Sequence, residues 1–492
     1  MAASESVKSV TPHASPEAKA LLELFYRISG NHILTGQHNY PNTRDRNSQF
    51  AAQYIGKTPI IWSTDMGFAK AGDTDSYLAR PDIVEEAKRQ HQLGSIVTIC
   101  WHAVPPTADE PVTFRPQRGE KVIPESLATV QGRLLDEQFR DVLTPGTALY
   151  SHWCAQVDTI AFYLKKLDKA KVPVLWRPYH EMNGDWFWWG GRTGEFSTRA
   201  LYRQLFDRFV NYHKLTNLVW VWSVDRPNKP EMHYSHYYPG NEYLDIHSLD
   251  IYGSDFQQVY YDSLVALSHG KPLVLGEVGN PPTPEILDHQ PRWSYYVTWA
   301  GMVRNTLKKQ YDVLKNDPRV LWREDSAYRS EINKFRNVCK LSLLPVSAGK
   351  NPVNFTGAWV FNEDASILDN RGVSYLPYKL SIQQQANEII VQKTFIVEWG
   401  DDRVNTDTLA LDGNPIISEM WNSPMVTMAH MSATYDTLKI ESKITFQQGG
   451  QTSEMVTREY WSLIDGGAQL SVHQLSDSFW GKRDITMVFD RE

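Results

Sequence analysis

Across residues 17–345, short apolar runs alternate with longer stretches in which apolar residues return every three or four positions. That alternation predicts parallel β-strands joined by helical crossovers. The predicted strands are Ile33–Gly36, Pro59–Thr64, Ser95–Trp101, Pro173–Arg177, Leu218–Trp222, Ile246–Ile251, Pro272–Gly276 and Ser294–Trp299, eight in all. Between them, Pro81–Leu93 reads as a helix, with proline near its start and Gly94 just past its end. Ser197 or Thr198 caps another, whose Leu201, Leu205, Phe209 and Tyr212 fall on one face. Eight strands with helical crossovers point to a closed (β/α)8 barrel, with an open doubly wound sheet as the alternative.

At Pro345 the pattern changes. Pro345-Val346-Ser347-Ala348-Gly349-Lys350-Asn351-Pro352 has the composition of a linker. Beyond it the period falls to two: Leu438, Ile440, Ser442, Ile444 and Phe446 share one strand face, and Lys439, Glu441, Lys443 and Thr445 the other. Asp412-Gly413 and Asp465-Gly466-Gly467 read as hairpin turns. The expected organisation is an N-terminal extension over 1–16, a barrel domain over 17–345, a linker over 346–351 and a smaller antiparallel all-β domain over 352–492. The run Phe355-Thr356-Gly357-Ala358-Trp359 resembles the opening of lipocalin-like barrels, which implies a structural Trp359 at a closed base. The smaller domain is thus expected to be such a barrel, or a sandwich.

Composition narrows the functions. With 492 residues, 41% hydrophobic and 22% charged, the chain can bury a large core. Its net charge of −7 comes with no basic block, so a nucleic-acid surface is not expected. No apolar run approaches the roughly 20 residues that span a bilayer, and Met1-Ala2-Ala3-Ser4 lacks the charged start and apolar stretch of a signal peptide. Cys100, Cys154 and Cys339 are too few and too widely spaced for a disulfide framework or a metal cluster, and Cys100 reads as a buried, inert thiol. The 17 Trp and 24 Tyr fit either core packing or stacking on sugar rings, and composition does not choose.

In an α/β barrel, chemistry sits where strands end. Those ends carry Asp65, His102, Glu181, Asp225, Tyr252, Glu277 and Trp299. One carboxylate at a strand end is ordinarily a surface charge or a helix cap. Two glutamates have more unusual settings. Glu181 follows His180 and precedes four consecutive aromatics, Trp186 to Trp189, which read either as a hydrophobic plug or as a sugar-binding wall. An apolar wall disfavours an ionised carboxylate and so prepares a general acid. Glu277 ends an apolar strand between Gly276 and Gly279, expected to let a ligand approach closely. Two such carboxyls meet the needs of glycoside hydrolysis, one to protonate the leaving oxygen and one to attack the anomeric carbon. His102 and His180 have no partner at metal-ligand spacing, and His233 and His236 lie in a tyrosine-rich loop; all four read as hydrogen-bonding histidines. There is neither a Gly-rich phosphate loop after the first strand nor a Gly-x-Ser-x-Gly elbow.

The run from Arg177 through Pro178-Tyr179-His180-Glu181-Met182-Asn183-Gly184-Asp185-Trp186 to Gly190, with Gly276-Glu277-Val278-Gly279, resembles glycoside hydrolase family 26. Weaker matches fall in the family's order at Ile33–His38, Trp101-His102, Leu249–Gly253 and Tyr295–Trp299. The best-known activity of this family is endo-β-1,4-mannanase. The resemblance implies a (β/α)8 barrel, retention of configuration, no metal cofactor, Glu181 as acid/base and Glu277 as nucleophile. It also implies that Arg177 and His180 line the site, Tyr252 bonds the nucleophile, His102 contacts the sugar, and Trp186 and Trp299 form platforms. One departure is Ala300, where family mannanases often carry arginine after the strand-eight tryptophan; it leaves subsite strength open. The expected partner is a mannan-type polysaccharide, which places the protein in an extracellular or periplasmic setting. Alternatives are the same chemistry on mixed-linkage β-glucan or β-1,3-xylan, a non-catalytic sugar-binding protein, and a structural or adhesion protein built on the C-terminal sheet.

Overall fold

The computed structural model describes residues 7–67, 79–116, 123–344 and 353–492, the last without 370–371, 374, 386–387, 398–399, 412, 433–435, 449–450 and 479–480. The chain divides into two compact units, Met1–Val346 and Ser347–Glu492. The expected linker, 345–352, lies outside the described residues.

In the first unit the strands are β1 (Ile33–Leu34), β2 (Gly36–His38), β3 (Ile61–Asp65), β4 (Ile96–Trp101), β5 (Val174–Pro178), β6 (Leu218–Asp225), β7 (Ile246–Ile251), β8 (Leu273–Val278), β9 (Trp293–Thr298) and β10 (Val320–Leu321). The helices are α1 (Pro16–Ile28), α2 (Arg46–Ile55), α3 (Arg80–Leu93), α4 (Asp136–Val142), α5 (Ala148–Lys169), α6 (Thr198–Asp207), α7 (Gln258–Ser268), α8 (Pro284–His289), α9 (Lys308–Asn316) and α10 (Ser326–Val338). The strands pair in parallel from β2 to β9, and β9 pairs with β2 and β8, so the sheet closes on itself. Closure rules out the doubly wound alternative. Each expected strand is present, the first split into β1 and β2. The short β10, which pairs with β1, had no expected counterpart.

Inside the barrel there is a gradient. The end nearer the strand starts is apolar, filled by Ile61, Ile96, Leu175, Val219, Ile246, Val274 and Tyr295, and it packs against α1 and α10. Further along the same inward positions come Asp65, Cys100, Arg177, Ser223 and Asp250, all buried. The apolar layer holds the staves together and the polar layer above it is available for chemistry. Residues 7–15 lie on this unit: the Val10 amide donates to Asp245 at 2.8 Å and the Ser15 amide to the Thr216 carbonyl at 2.8 Å.

Two helix expectations meet different outcomes. Gly94 ends α3 in the left-handed region, φ 96°, where a side chain is strained. The Ser197 hydroxyl caps α6, and Leu201, Leu205 and Phe209 are buried, but Tyr212 is 65% exposed. A π turn over Arg208–Tyr212 takes up extra backbone and rotates Tyr212 off the buried face, under the Arg208 guanidinium at 4.3 Å. Among the described residues, no helix is long and apolar enough to cross a membrane.

The second unit is antiparallel: β11 (Gly357–Ile367), β12 (Lys379–Gln384), β13 (Glu388–Phe395), β14 (Arg403–Ala410), β15 (Ile416–Met420), β16 (Ser423–Met431), β17 (Thr437–Gln448), β18 (Gln451–Ile464), β19 (Gln469–Ser478) and β20 (Gly481–Arg491). The order runs β14-β13-β12-β11-β20-β19-β18-β17-β16-β15, and β14 also contacts β16, giving a barrel-like sheet. Leu438, Ile440 and Ile444 are buried while Lys439 and Lys443 are exposed, as period two requires. Asp465–Gly467 joins the paired β18 and β19. Asp412 lies outside the described residues, and the strands flanking it, β14 and β15, stand at opposite ends of the order, so this connection is not a hairpin. Trp359 is fully buried, its Nε1 donating to the Phe355 carbonyl at 3.0 Å and its ring covered by Arg491 at 4.4 Å.

Candidate active site

Polar groups converge at the carboxyl ends of β4 to β9. Arg177, the penultimate residue of β5, donates from Nη1 to Asp250 Oδ2 at 2.9 Å and to Ser223 Oγ at 3.2 Å, and from Nη2 to Glu277 Oε1. Tyr252, just past β7, donates its hydroxyl to Glu277 Oε2 at 2.6 Å. Both oxygens of Glu277 are therefore held. One carboxyl oxygen from each of Glu181, Asp250 and Glu277 lies within 4.8 Å of the other two. A metal ion at these three acids would have to compete with Arg177, which already supplies positive charge there.

A bulge aims Glu277. Along β7 and β8 the register passes from Leu249 opposite Leu275 directly to Asp250 opposite Glu277, leaving Gly276 as the extra residue. The inserted residue turns Glu277 to the inner face beside Asp250. A Cβ on Gly276 would sit 2.4 Å from Ser248 Oγ and 2.7 Å from Asp250 Oδ1, and on Gly279 it would sit 3.2 Å from the Gly253 amide nitrogen. The space beside these glycines is filled by the protein's own atoms, which corrects the expectation that they admit a ligand.

Glu181 is reached through strained backbone. After Pro178 ends β5, Tyr179 and Glu181 take φ of 48° and 50°, in the left-handed region that side chains disfavour. Asn183 fixes the turn: its Nδ2 donates to the carbonyls of Asp225 at 2.6 Å and Met232 at 3.0 Å, and its Oδ1 accepts the Asp225 amide at 2.7 Å. Glu181 Oε2 accepts from Trp186 Nε1 at 2.7 Å. Burial, then the neighbouring Glu277, Asp250 and Asp225, hold the Glu181 carboxyl well above the usual carboxylate range. Asp225 is pushed up to about 6, chiefly by burial.

The four consecutive aromatics divide their duties. Phe187, Trp188 and Trp189 are buried, the two indoles donating to the Ala103 and His180 carbonyls, so the plug describes them. Trp186 is half-buried and open toward Glu181. Trp299 is also half-buried, stacked on His38 at 3.8 Å and 15°.

His180 is fully buried, and neither ring nitrogen has a hydrogen-bond partner. Its Nε2 lies 3.7 Å from Glu277 Oε1. Burial, with His102 and Arg177 nearby, takes its pKa well below the usual value, so it is neutral. His102 stands edge-on to His180 at 4.4 Å, and its Nδ1 bonds Asp65 Oδ2 at 2.6 Å. Asp65 also accepts from Cys100 Sγ at 3.0 Å, and Cys100 is a buried, free thiol.

All eight sequence-predicted residues, His102, Arg177, His180, Glu181, Trp186, Tyr252, Glu277 and Trp299, thus fall in one constellation. His233 and His236 are exposed elsewhere. Sequence reading gave no role to Asp250, Ser223, Asn183 or His38. Polar residues at inward positions of apolar strands, such as Ser248 and Asp250 on β7, were the available signal.

The model of glycosyl hydrolase family 26 matches residues 10–325. A mannan endo-1,4-β-mannosidase of Thermothelomyces thermophilus is 31% identical over 313 residues, 62% of this chain and 59% of that protein. Two such enzymes from Piromyces are matched over 48% and 45% of their lengths, so this chain spans about half the length of the curated relatives it matches. The solved structure of GH26A from Muricauda sp. is 38% identical, with a TM-score of 0.58, covering 63% of this chain and 98% of that one. A GH26-CBM35 β-(1,4)-mannanase of Podospora anserina is 28% identical with a TM-score of 0.54, covering 67% and 70%.

Proposed function

The chain belongs to glycosyl hydrolase family 26, and from that premise we propose that its first unit is a retaining endo-β-1,4-mannanase. Glu181 is the acid/base and Glu277 the nucleophile. The observation that carries this reading is the contrast between two carboxyls whose oxygens approach within 4.8 Å. Glu181 is kept protonated by burial and by neighbouring acids, while Glu277 is held at both oxygens by Arg177 and Tyr252. That proximity suits direct attack rather than the wider gap, about 6.5–9.5 Å, that leaves room for a water in inverting enzymes.

In the first step a Glu277 oxygen bonds to the anomeric carbon while the glycosidic C–O bond breaks. Glu181 gives its proton to the departing oxygen, and a glycosyl ester remains. In the second step Glu181, now a carboxylate, takes a proton from water. The water oxygen bonds to the anomeric carbon, the ester bond breaks, and both glutamates return to their starting states.

Trp186 and Trp299 are the platforms for flanking sugars. His102 and the unpartnered His180 supply hydrogen bonds at the cleavage point, where a sugar hydroxyl relieves the cost, about 1–3 kcal/mol, of a buried polar atom left alone. Mannan is the preferred polymer because the curated relatives carry that activity in their names. A polymeric substrate places the enzyme outside the cytoplasm, extracellular or periplasmic.

Reducing-sugar release from mannan, lichenan, β-1,3-xylan and cellulose tests the substrate, with mannan expected to lead. NMR of the first-formed anomer tests the mechanism: the β-anomer appears first under retention, and the α-anomer first would overturn it.

A further inference from the structure

Asp65 ends β3 beside the candidate site, and the two-glutamate mechanism does not use it. The register of β3 and β4 sets it next to Cys100, and its side chain is fully buried. Four donor groups converge on its two oxygens. Oδ1 accepts from the Gly67 amide at 2.8 Å. Oδ2 accepts from the His102 amide at 3.1 Å and from Cys100 Sγ at 3.0 Å, and it lies 2.6 Å from His102 Nδ1. Asp65, Cys100 and His102 are all metal-ligand types. Yet Nδ1 and Oδ2 are closer together than two atoms bound tetrahedrally at about 2.0–2.2 Å to one ion would be. The group is a hydrogen-bonded cluster centred on the Asp65 carboxyl.

Three buried histidines stand near this cluster, His38, His102 and His180, and they differ in what fixes their protons. His38 Nδ1 lies 3.0 Å from Ser63 Oγ, a hydroxyl that can give or take a hydrogen bond and so selects no tautomer. Neither ring nitrogen of His180 has a partner. His102 faces a carboxyl. Burial alone would raise the Asp65 pKa, but the adjacent His102 and the hydrogen bonds from His102, Cys100 and Gly67 outweigh it and hold the carboxyl below its usual value. An ionised carboxylate only accepts hydrogen bonds, so the proton between Asp65 and His102 belongs to Nδ1. In the neutral ring Nε2 then carries the lone pair and can accept from a sugar hydroxyl.

We propose that Asp65 is a positioning residue for hydrolysis: it holds the His102 ring with its proton on Nδ1, so that Nε2 accepts a hydrogen bond from the sugar at the cleavage point. This rests on the reading of the first unit as a glycosidase whose His102 touches the sugar. Without the carboxylate the ring is free to turn about its bond to Cβ, or to carry its proton on Nε2. The hydroxyl then meets a carbon edge or a second donor. Asp65 touches no substrate in this arrangement and acts only through His102.

The test has two arms, both on the full chain. The first is NMR of protein carrying 13C-labelled histidine, in which the His102 Cδ2 signal, identified by its absence from His102→Ala, reports which ring nitrogen is protonated. A proton on Nδ1 is expected, and a bare Nδ1 overturns the proposal. The second is a double-mutant cycle on hydrolysis of a short chromogenic manno-oligosaccharide. Asp65→Ala is expected to lower kcat/KM about 10–100-fold, the scale of one lost hydrogen bond at a buried site. In a His102→Ala background the same change is expected to cost less than about threefold, because the two residues act as one unit. An equal loss in both backgrounds would mean that Asp65 supports the fold and not His102, and it overturns the proposal. If Asp65→Ala fails to fold, Asp65→Asn replaces it in the cycle: its amide oxygen can still face His102 but accepts more weakly than a carboxylate, so a loss of about fivefold is expected, again only while His102 is present. A parent that hydrolyses no manno-oligosaccharide would refute the glycosidase reading, whereas the NMR signal reports the Asp65–His102 pair without any turnover, so the two failures are distinguishable.

Discussion

Both units turn charged side chains inward from their strands, but they hold the carboxyls differently. In the first, Glu181, Asp225, Asp250 and Glu277 gather around Arg177, the cation hydrogen-bonded to Asp250 and Glu277. In the second, Lys393 pairs with Asp407 at 3.1 Å, and Glu459 accepts hydrogen bonds from Trp461 and Gln474. An excess of acid favours carboxyls that keep their protons, and burial above all raises the pKa of Glu181 and of Asp250, of which Glu181 is the one not paired with Arg177. Buried charge alone thus does not mark a reaction centre; several buried carboxyls crowded around one cation do.

The comparison breaks first at its most sensitive residue. Glu277→Ala should cut turnover of every substrate by roughly 10⁴-fold or more, the scale of losing a covalent nucleophile. Lys393→Met, which removes the ion-pair partner of Asp407 in the second unit, should leave hydrolysis of short manno-oligosaccharides unchanged. Steady-state kinetics on both variants, with circular dichroism as a folding check, reads the difference; comparable losses in the two would end the distinction.

Next comes the proton itself. Glu181→Ala should lower kcat/KM on mannan by about 10²–10⁴-fold, as expected for loss of a general acid. An aryl mannoside with a good leaving group needs little protonation, so its glycosylation step should survive, visible as a burst of phenolate before the slowed second step. Absence of the burst would remove Glu181 from the acid role.

Much of this was legible in the sequence because the barrel spends its apolar residues in regular runs. The eight strand positions and the two glutamates stood out against that background. What escaped depends on side-chain direction. Asp250 sits one residue from Ile251 in a strand that reads as apolar, and only the inward alternation of Ile246, Ser248 and Asp250 exposes it. Gly276 reads as an opening, whereas the bulge makes it the place where Ser248 and Asp250 need room. Trp186 to Trp189 read as one unit, a plug or a wall, yet they divide: three of the four turn inward and Trp186 alone stays half-buried beside Glu181. In the second unit the same period-two pattern that revealed strands concealed Lys393, because a polar residue on an inner face looks like a break in the pattern.

A smaller effect should follow from loosening the acid without removing it. Asn183→Ala deletes three hydrogen bonds and leaves the Asp225 amide and the Asp225 and Met232 carbonyls without their partner. The expected cost is about 1–3 kcal/mol of stability, and misplacement of Glu181 should lower kcat by up to about 10²-fold. Thermal unfolding and kinetics on the same preparation check both. A variant that loses stability but keeps kcat would show that Asn183 supports the fold and not the acid.

The mildest change tests the imbalance most directly. Asp225→Asn keeps the shape of the side chain and the backbone groups that Asn183 holds, and removes one negative charge beside Glu181. Glu181 acts as an acid only while protonated, so activity falls as pH rises through its pKa, and that pKa sets the alkaline limb of the profile. Burial contributes most to raising it, and the charges of Glu277, Asp250 and Asp225 add to the rise. Removing one of those charges lowers the Glu181 pKa and moves the alkaline limb to lower pH. The sign also depends on pH, because Asp225 itself titrates at about 6. Below that, Asp225 is neutral in the wild type, and the two proteins should have matching profiles. Above it, Asp225 is ionised, and the wild type should hold its activity further into the alkaline range than the variant. Because these groups are buried, added salt should narrow the gap only slightly. A profile of kcat/KM against pH for the two proteins reads the result, and a limb that stays fixed or moves to higher pH would show that the Asp225 charge does not help Glu181 keep its proton.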